Sequence, residues 1–215
     1  MDKPVHYYRN DRTDVADLFP EKYKTVLEVG CGEGDFRKYA SAECEYWGVE
    51  PFLQAASIAE KRLNKVLALT FDAAAEYLPD NYFDVIVCND VIEHLTDHNL
   101  FLQQAKRKLK ENGVIIGSLP NIRYIKELLN LIKNRDWQYT DCGVLDYTHL
   151  RFFTKKSIEH TFLENGFTLD VLDGIHGIRK FRKKLKFRKP GWNFLIFLFG
   201  KDTRFIQYRF RICPK

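Results

Sequence analysis

Three glycines at alternate positions follow directly on a short apolar run, in Thr25-Val-Leu-Glu-Val29-Gly30-Cys-Gly32-Glu-Gly34. The run is rich in β-branched and aliphatic residues, so it reads as a short buried strand. Asp35 to Ala40 then reads as the opening of a helix with Asp35 as its N-cap. A strand that passes through glycines into a helix lets backbone approach a ligand closely and offers it free amides. A dinucleotide-binding turn would need G-x-G-x-x-G with glycine at position 35, where this chain has aspartate.

The rest of the chain repeats that alternation. Further strands are expected over Glu45–Val49, Val66–Leu69, Phe83–Cys88 and Val114–Leu119, with helices over Phe52–Leu63 and His98–Leu109, the latter ended by Asn112-Gly113. Nearly all-apolar strands alternating with helices indicate a parallel sheet covered on both faces, an α/β fold. Pro120 to about Arg151 breaks the pattern with a helix over Ile122–Ile132 and a polar loop, and reads as an insertion. A helix over Lys156–Asn165 stops at Gly166 and leads to a strand at Thr168–Leu172. Phe205 to Cys213 alternates in polarity, which fits a strand near the sheet edge. We expect one domain over residues 1–215, with insertions at about 120–151 and 175–203.

Composition removes other classes. A 45% hydrophobic content excludes a disordered chain, and 29% charged residues exclude an integral membrane protein. The longest apolar run, Phe194–Phe199, falls far short of the ~20 residues of a spanning helix. The five cysteines are scattered without a Cys-x-x-Cys pair, so neither a disulfide framework nor a zinc knuckle is signalled. The N-terminus lacks the apolar stretch of a signal peptide, and an intracellular, cytoplasmic protein is expected.

Two acids extend the glycine motif. Glu50 ends the second strand 20 residues after Gly30, where an acid can accept hydrogen bonds from both ribose hydroxyls. Asp72 follows the third strand, placed to accept from an adenine amine. With Gly48-Val-Glu50, Phe71-Asp72-Ala73 and Phe83-Asp-Val-Ile-Val-Cys-Asn89, the chain resembles the class I S-adenosylmethionine-dependent methyltransferases from about Val26 to its C-terminus. The resemblance implies a Rossmann-like, seven-stranded sheet, mostly parallel with an antiparallel C-terminal strand, and S-adenosylmethionine as co-substrate. It further implies that Gly30, Gly32 and Gly34 line the methionine moiety, with Glu28 near its amine. Glu50 would hold the ribose, Asp72 and Ala73 the adenine, and Asn89 would lie below the cofactor, with Cys31 and Pro51 also in this site. Asn89-Asp-Val-Ile-Glu-His-Leu95, Ser118-Leu-Pro-Asn121 and Leu145-Asp-Tyr-Thr-His-Leu-Arg-Phe-Phe-Thr154 are similar to a methyltransferase group of bacterial surface-polysaccharide clusters. That likeness implies a sugar hydroxyl as acceptor, on the polysaccharide or a lipid-linked precursor.

Asp90, Glu93 and His94 have i, i+3, i+4 spacing, which puts them on one face if a helical turn follows the fourth strand. Carboxylates with an imidazole suit Mg²⁺ or Mn²⁺. The set is similar to the Glu-x-x-Glu-His metal motif of quinone O-methyltransferases and small-RNA 2′-O-methyltransferases. The latter add a later histidine, a role open to His149 here. Asp90 departs from that motif by being one methylene shorter than glutamate. Two readings stand. In one, Asp90, Glu93, His94 and His149 hold a divalent cation that lowers the pKa of the attacked hydroxyl; in the other, His94, His149 and Asp90 serve as a metal-free base. Asp141 and Asp146 are further loop acids, and Tyr7, Tyr8 and Arg9 either cover the cofactor or pack at the N-terminus. A quinone, a small metabolite and an RNA 2′-hydroxyl are the alternative acceptors. A non-catalytic cofactor-binding partner in membrane assembly is the alternative to an enzyme.

The net charge of +5, from 34 basic and 29 acidic residues, is concentrated. Gly174 to Gly200 contains no acid, and eight Lys and Arg crowd into residues 179–189 before Trp192-Asn-Phe-Leu-Ile-Phe-Leu-Phe199. Without them the chain is slightly acidic. A basic run beside an aromatic segment over 179–199 suits an anionic membrane surface. The competing reading is a hairpin whose apolar side packs on the domain or on a dimer partner. Nucleic acid is the weakest reading, because no recognised reading module accompanies the run.

Overall fold

The computed structural model describes residues 12–178 and 191–215. The short helix α1 (Thr13–Ala16) leads into β1 (Thr25–Val29), β2 (Glu45–Val49), α2 (Leu53–Ala59), β3 (Lys65–Leu67), α3 (Phe71–Ala74) and β4 (Phe83–Asn89). Then come α4 (His98–Lys108), β5 (Leu109–Pro120), α5 (Ile125–Asn134), α6 (Lys155–Glu164), β6 (Phe167–Ile175), α7 (Gly191–Phe199) and β7 (Gln207–Pro214). The seven strands form one sheet in the order β3-β2-β1-β4-β5-β7-β6, in which β7 runs antiparallel to both of its neighbours. The expected Rossmann-like sheet with an antiparallel last strand is the fold observed.

The central strands are buried on both faces, so alternate residues feed two cores. Leu27, Val29, Ile86 and Cys88 join the cluster under α3, α4 and α6. Val26, Val85 and Val87 join a second cluster with Val15, Leu18, Phe36 and Tyr46. β7 lies one strand in from the edge, and its buried positions Tyr208, Phe210 and Ile212 alternate with half-buried ones.

Some local expectations give way to tertiary contacts. Asp35–Tyr39 is a 3₁₀ turn, not an α-helix. Its N-cap position belongs to the left-handed Gly34, and Asp35 pairs with Arg62 instead. The helix expected to Leu63 stops at Ala59. α4 ends at Lys108, before Asn112-Gly113, which lie inside β5 with Asn112 left-handed at φ 65°. The ammonium of Lys108 is buried against the Leu78 carbonyl at 2.7 Å and Asp80 at 2.6 Å, and Leu109 already pairs with Phe83, so the chain leaves the helix early. α6 starts on a reciprocal Thr154–Ser157 capping box. No described helix is long and apolar enough to cross a membrane.

Candidate active site

The carboxyl ends of β1 to β4 meet at the place where ligands bind open α/β sheets. Gly30, Gly32 and Gly34 all take positive φ. Gly30, at φ 67°, accepts a fold that side chains resist, and a Cβ there would stand 2.8 Å from Val91 Cγ2. The glycine turn therefore backs directly onto the segment carrying Glu93 and His94. Gly48 serves a different purpose. A Cβ on it would meet Cys31 Sγ at 2.5 Å, so glycine opens the space in which the Cys31 side chain is buried. Cys31 thus turns its thiol into the core, leaving its backbone to the turn.

Three acids border this turn in different states. Glu50 is buried and accepts from the amides of Gly32 and Phe52, both at 2.9 Å. Each oxygen keeps a second lone pair for a ligand hydroxyl. Burial raises its pKa, and the two amides oppose that rise. Glu28 is buried and accepts from the Tyr46 hydroxyl at 3.0 Å; burial pushes its carboxyl up to about 8. Asp72 is exposed at the start of α3 beside the exposed Ala73, and Pro51 is exposed just after Glu50. Asn89 ends β4 with its Oδ1 buried and lacking a hydrogen-bond partner among the described residues.

The second group forms where the insertion folds back. Ile92–His94 make one 3₁₀ turn, and the Glu93 carbonyl accepts from the amides of Leu150 at 2.9 Å and Arg151 at 3.1 Å. These two bonds bring His149 over Glu93. Glu93, His94 and His149 each offer a ligand atom, all within 4.8 Å of one another, and the two imidazole rings lie 4.7 Å apart. The histidine protons are assigned by their partners. His94 Nδ1 lies 3.1 Å from both the Thr148 carbonyl and Thr148 Oγ1, whose own hydrogen goes to Asp146 at 2.7 Å. His149 Nδ1 lies 3.0 Å from the Val144 carbonyl. Both protons therefore sit on Nδ1, and the lone pair of each ring is on Nε2.

Glu93 is the anomaly. Its side chain is 1% exposed, and neither oxygen has a hydrogen-bond partner among the described residues. His149 Nε2 approaches Glu93 Oε1 only to 3.9 Å. That contact is no ion pair, because burial and the neighbouring His94 lower the His149 pKa and keep the ring neutral. Burial, and secondarily Asp90, raise the Glu93 pKa well above the usual carboxylate range. Burial thus holds this carboxyl toward its neutral form in the unliganded protein; ionised, it would join the two imidazole lone pairs as a set of acceptors that a divalent cation satisfies. The backbone and hydroxyl acceptors behind each Nδ1 are the outer support that metal-binding histidines carry.

Asp90 does not join this group. It takes a left-handed φ of 52° and turns away, so the helical spacing that would align it with Glu93 and His94 is absent. Its carboxylate accepts from Arg12, from Ser118 Oγ at 2.8 Å and from Gln207 Nε2 at 3.0 and 3.1 Å. Held by these partners, it lies outside the group that Glu93, His94 and His149 form, so the expected grouping of Asp90 with them is corrected. Asp146 is buried, and its Oδ1 also accepts the Thr148 amide at 2.9 Å, so it shapes the loop that supports His94. Asp141 is exposed on the same loop, and Tyr7, Tyr8 and Arg9 lie outside the described residues.

Sequence reasoning missed Thr148, Arg12 and an aromatic group beside His149. Phe152 lies 6.3 Å from the His149 ring and 5.1 Å from Trp137, with Tyr139 at 6.4 Å. Trp137 and Tyr139 are exposed. The available signal was the run of aromatics on both sides of His149, namely Trp137, Tyr139, Tyr147, Phe152 and Phe153.

A family model described as a methyltransferase domain matches residues 6–172. A ubiquinone biosynthesis O-methyltransferase of Azorhizobium caulinodans is 27% identical over 167 residues, covering 75% of this chain and 66% of that protein. A probable S-adenosylmethionine-dependent methyltransferase of Mycobacterium tuberculosis is 33% identical over 123 residues, covering 56% and 45%. The matched stretches thus span about half to two thirds of these relatives. The crystal structure of an S-adenosylmethionine-dependent methyltransferase from Archaeoglobus fulgidus superposes with a TM-score of 0.67 at 19% identity, covering 96% of each chain, a likeness of fold. The chain belongs to the methyltransferase-domain family, with the fold shared by S-adenosylmethionine-dependent methyltransferases.

Proposed function

We propose that this chain is an S-adenosylmethionine-dependent O-methyltransferase that methylates a sugar hydroxyl of a bacterial surface polysaccharide or its lipid-linked precursor. The observation that carries the chemistry is the bare, buried Glu93 carboxylate facing His94 and His149. In the reaction the cofactor's S–CH₃ bond breaks, an O–CH₃ bond forms, and the hydroxyl gives up its proton. The glycine turn and Glu50 hold the cofactor, Glu28 meets its ammonium, and Asp72 the adenine. Positioning does most of the remaining work, because the sulfonium is already reactive.

Glu93, His94 and His149 fit a divalent cation such as Mg²⁺ or Mn²⁺. Such an ion would lower the pKa of a hydroxyl bound to it. Thr148 and Val144 keep the Nε2 lone pairs directed to that task by fixing the Nδ1 protons. For the acceptor, exposed Trp137 and Tyr139 beside Phe152 offer flat apolar faces to the C–H face of a sugar ring. A quinone ring would use the same faces, and the ubiquinone-pathway relative makes that the alternative to test.

The test is transfer from labelled S-adenosylmethionine to a panel of sugar nucleotides, lipid-linked glycans, quinone precursors and RNA. Label on a sugar, lost with EDTA and restored by Mg²⁺ or Mn²⁺, is the expected result. Label only on a quinone or RNA overturns the acceptor. Full turnover after chelation removes the metal and leaves His94 and His149 as the base.

A further inference from the structure

α7 is bolted to the domain yet turns an apolar face outward. Its sequence, Gly191-Trp-Asn-Phe-Leu-Ile-Phe-Leu-Phe199, contains no charge. Phe194, Phe197 and Leu198 stand at i, i+3 and i+4 and are 63%, 84% and 61% exposed, while Leu195, Ile196 and Phe199 are half-buried. Three large apolar side chains on one exposed helix face form a patch, not scattered singles. α7 packs beside α5, whose last turn exposes Leu131 and Ile132 together with Lys133.

The exit of α7 is fixed. Arg123 holds the Phe199 carbonyl and binds Asp202 through Nε at 2.5 Å. Asn121 Nδ2 donates to the carbonyls of Asp202 at 2.9 Å and Phe205 at 2.8 Å. Asn121 and Thr203 are themselves fully buried. The helix that carries the apolar face is therefore anchored at its C-terminal end to the end of β5.

We infer that the outward face of α7, with the end of α5 beside it, docks on an anionic lipid surface. Charge decides the occupant. The chain entering α7 carries eight Lys and Arg in residues 179–189, and no acid occurs between Gly174 and Gly200. Phenylalanine and leucine beside such a run combine apolar insertion with attraction to lipid phosphates. A second copy of the chain fits poorly. The sequence leading into α7 is basic and offers a like chain no acid between Gly174 and Gly200 to pair with. The inference does not rest on the acceptor proposed above, although a lipid-linked acceptor would lie on that same surface.

The test uses the full chain and vesicle flotation, with phosphatidylcholine alone or mixed with phosphatidylglycerol. The protein is expected to float with the mixed vesicles at low salt, to stay below with phosphatidylcholine, and to be released as salt rises. The Phe194→Ser, Phe197→Ser double variant should bind the mixed vesicles at least about tenfold more weakly, since it removes two inserting rings. Its affinity for S-adenosylhomocysteine by calorimetry should be unchanged, which shows that it folds. Protein that stays in solution with the mixed vesicles overturns the inference. So does a double variant that floats as well as the parent, because the basic run alone would then be responsible. A dimer in sedimentation that the double variant dissolves also overturns it, by assigning the face to a second copy. None of these readouts involves methyl transfer, so failure here leaves the proposed reaction untouched, and the reverse holds.

Discussion

Asp90 and Glu93 stand three residues apart after β4, in opposite surroundings. Asp90 knots together Arg12, β5 through Ser118 and β7 through Gln207, while Glu93 lies deeper and has no hydrogen-bond partner among the described residues. The left-handed turn at Asp90 separates them, sending one carboxylate to the sheet end and the other under the insertion loop. A buried charge is tolerated when partners replace the water it loses. Asp90 has those partners from within the chain. Glu93 lacks them among the described residues, and the proposed cation would supply what is missing.

The largest expected effect is on the satisfied carboxylate. Asp90→Ala leaves the Arg12 guanidinium, whose side chain is only 11% exposed, without its counter-charge. Breaking such a pair from one side destabilises by about 3–5 kcal/mol, and the partial exposure of Asp90 favours the lower end. Urea unfolding measures it. Mn²⁺ binding to the folded fraction should be unchanged, and a variant that keeps its stability but loses Mn²⁺ would put Asp90 back among the ligands.

Next comes a change of opposite sign. Glu93→Gln keeps the shape and is neutral at every pH, whereas the buried Glu93 carboxyl, with its raised pKa, must take up a proton on folding above pH about 4.5. The metal-free protein should gain about 1–3 kcal/mol, the magnitude of relieving an unsatisfied buried polar group. Turnover and Mn²⁺ binding should both disappear, the familiar exchange of stability for function. Loss of stability in Glu93→Gln would mean that the carboxylate already has an internal donor, and the contrast with Asp90 would collapse.

The same contrast explains what could be read before any coordinates. The cofactor end is written locally: Gly30, Gly32 and Gly34 follow their strand directly, and Glu50 and Asp72 come at strand ends, so hydrophobic runs and turn residues suffice to place them. The acceptor end depends on long-range contact. Leu150 and Arg151 dock on the Glu93 carbonyl, and Arg12 reaches Asp90, across stretches of chain that no periodicity links. The i, i+3, i+4 spacing of Asp90, Glu93 and His94 presumed a helix. Aspartate is among the few residues that accept a left-handed turn, and that tolerance was the only local hint against one. Asn112-Gly113 misled for a related reason. It is a good helix stop, but the buried Lys108 and the Leu109–Phe83 pairing end α4 first.

Glu28 falls between the two extremes, with one donor, the Tyr46 hydroxyl, and a carboxyl raised to about 8. The effect expected there is the smallest, a proton count. A folded-state pKa above the unfolded value of about 4.5 means that this carboxyl contributes stability below pH 4.5 and that the contribution is lost as pH rises to about 8. Glu28→Gln should flatten the pH dependence of unfolding across that window. At pH 7 the unliganded carboxyl is mostly protonated. The methionine ammonium of the cofactor favours the charged form, so binding should release close to one proton. Calorimetry of S-adenosylhomocysteine binding in buffers of different ionisation enthalpy reads that release directly, and Glu28→Gln should abolish it. If the parent releases no proton, Glu28 is not beside the ammonium. It would then be a structural acid held neutral by burial, against the Tyr46 hydrogen bond that favours its charged form, and Glu93 would remain the one buried carboxyl in this comparison for which a ligand is proposed.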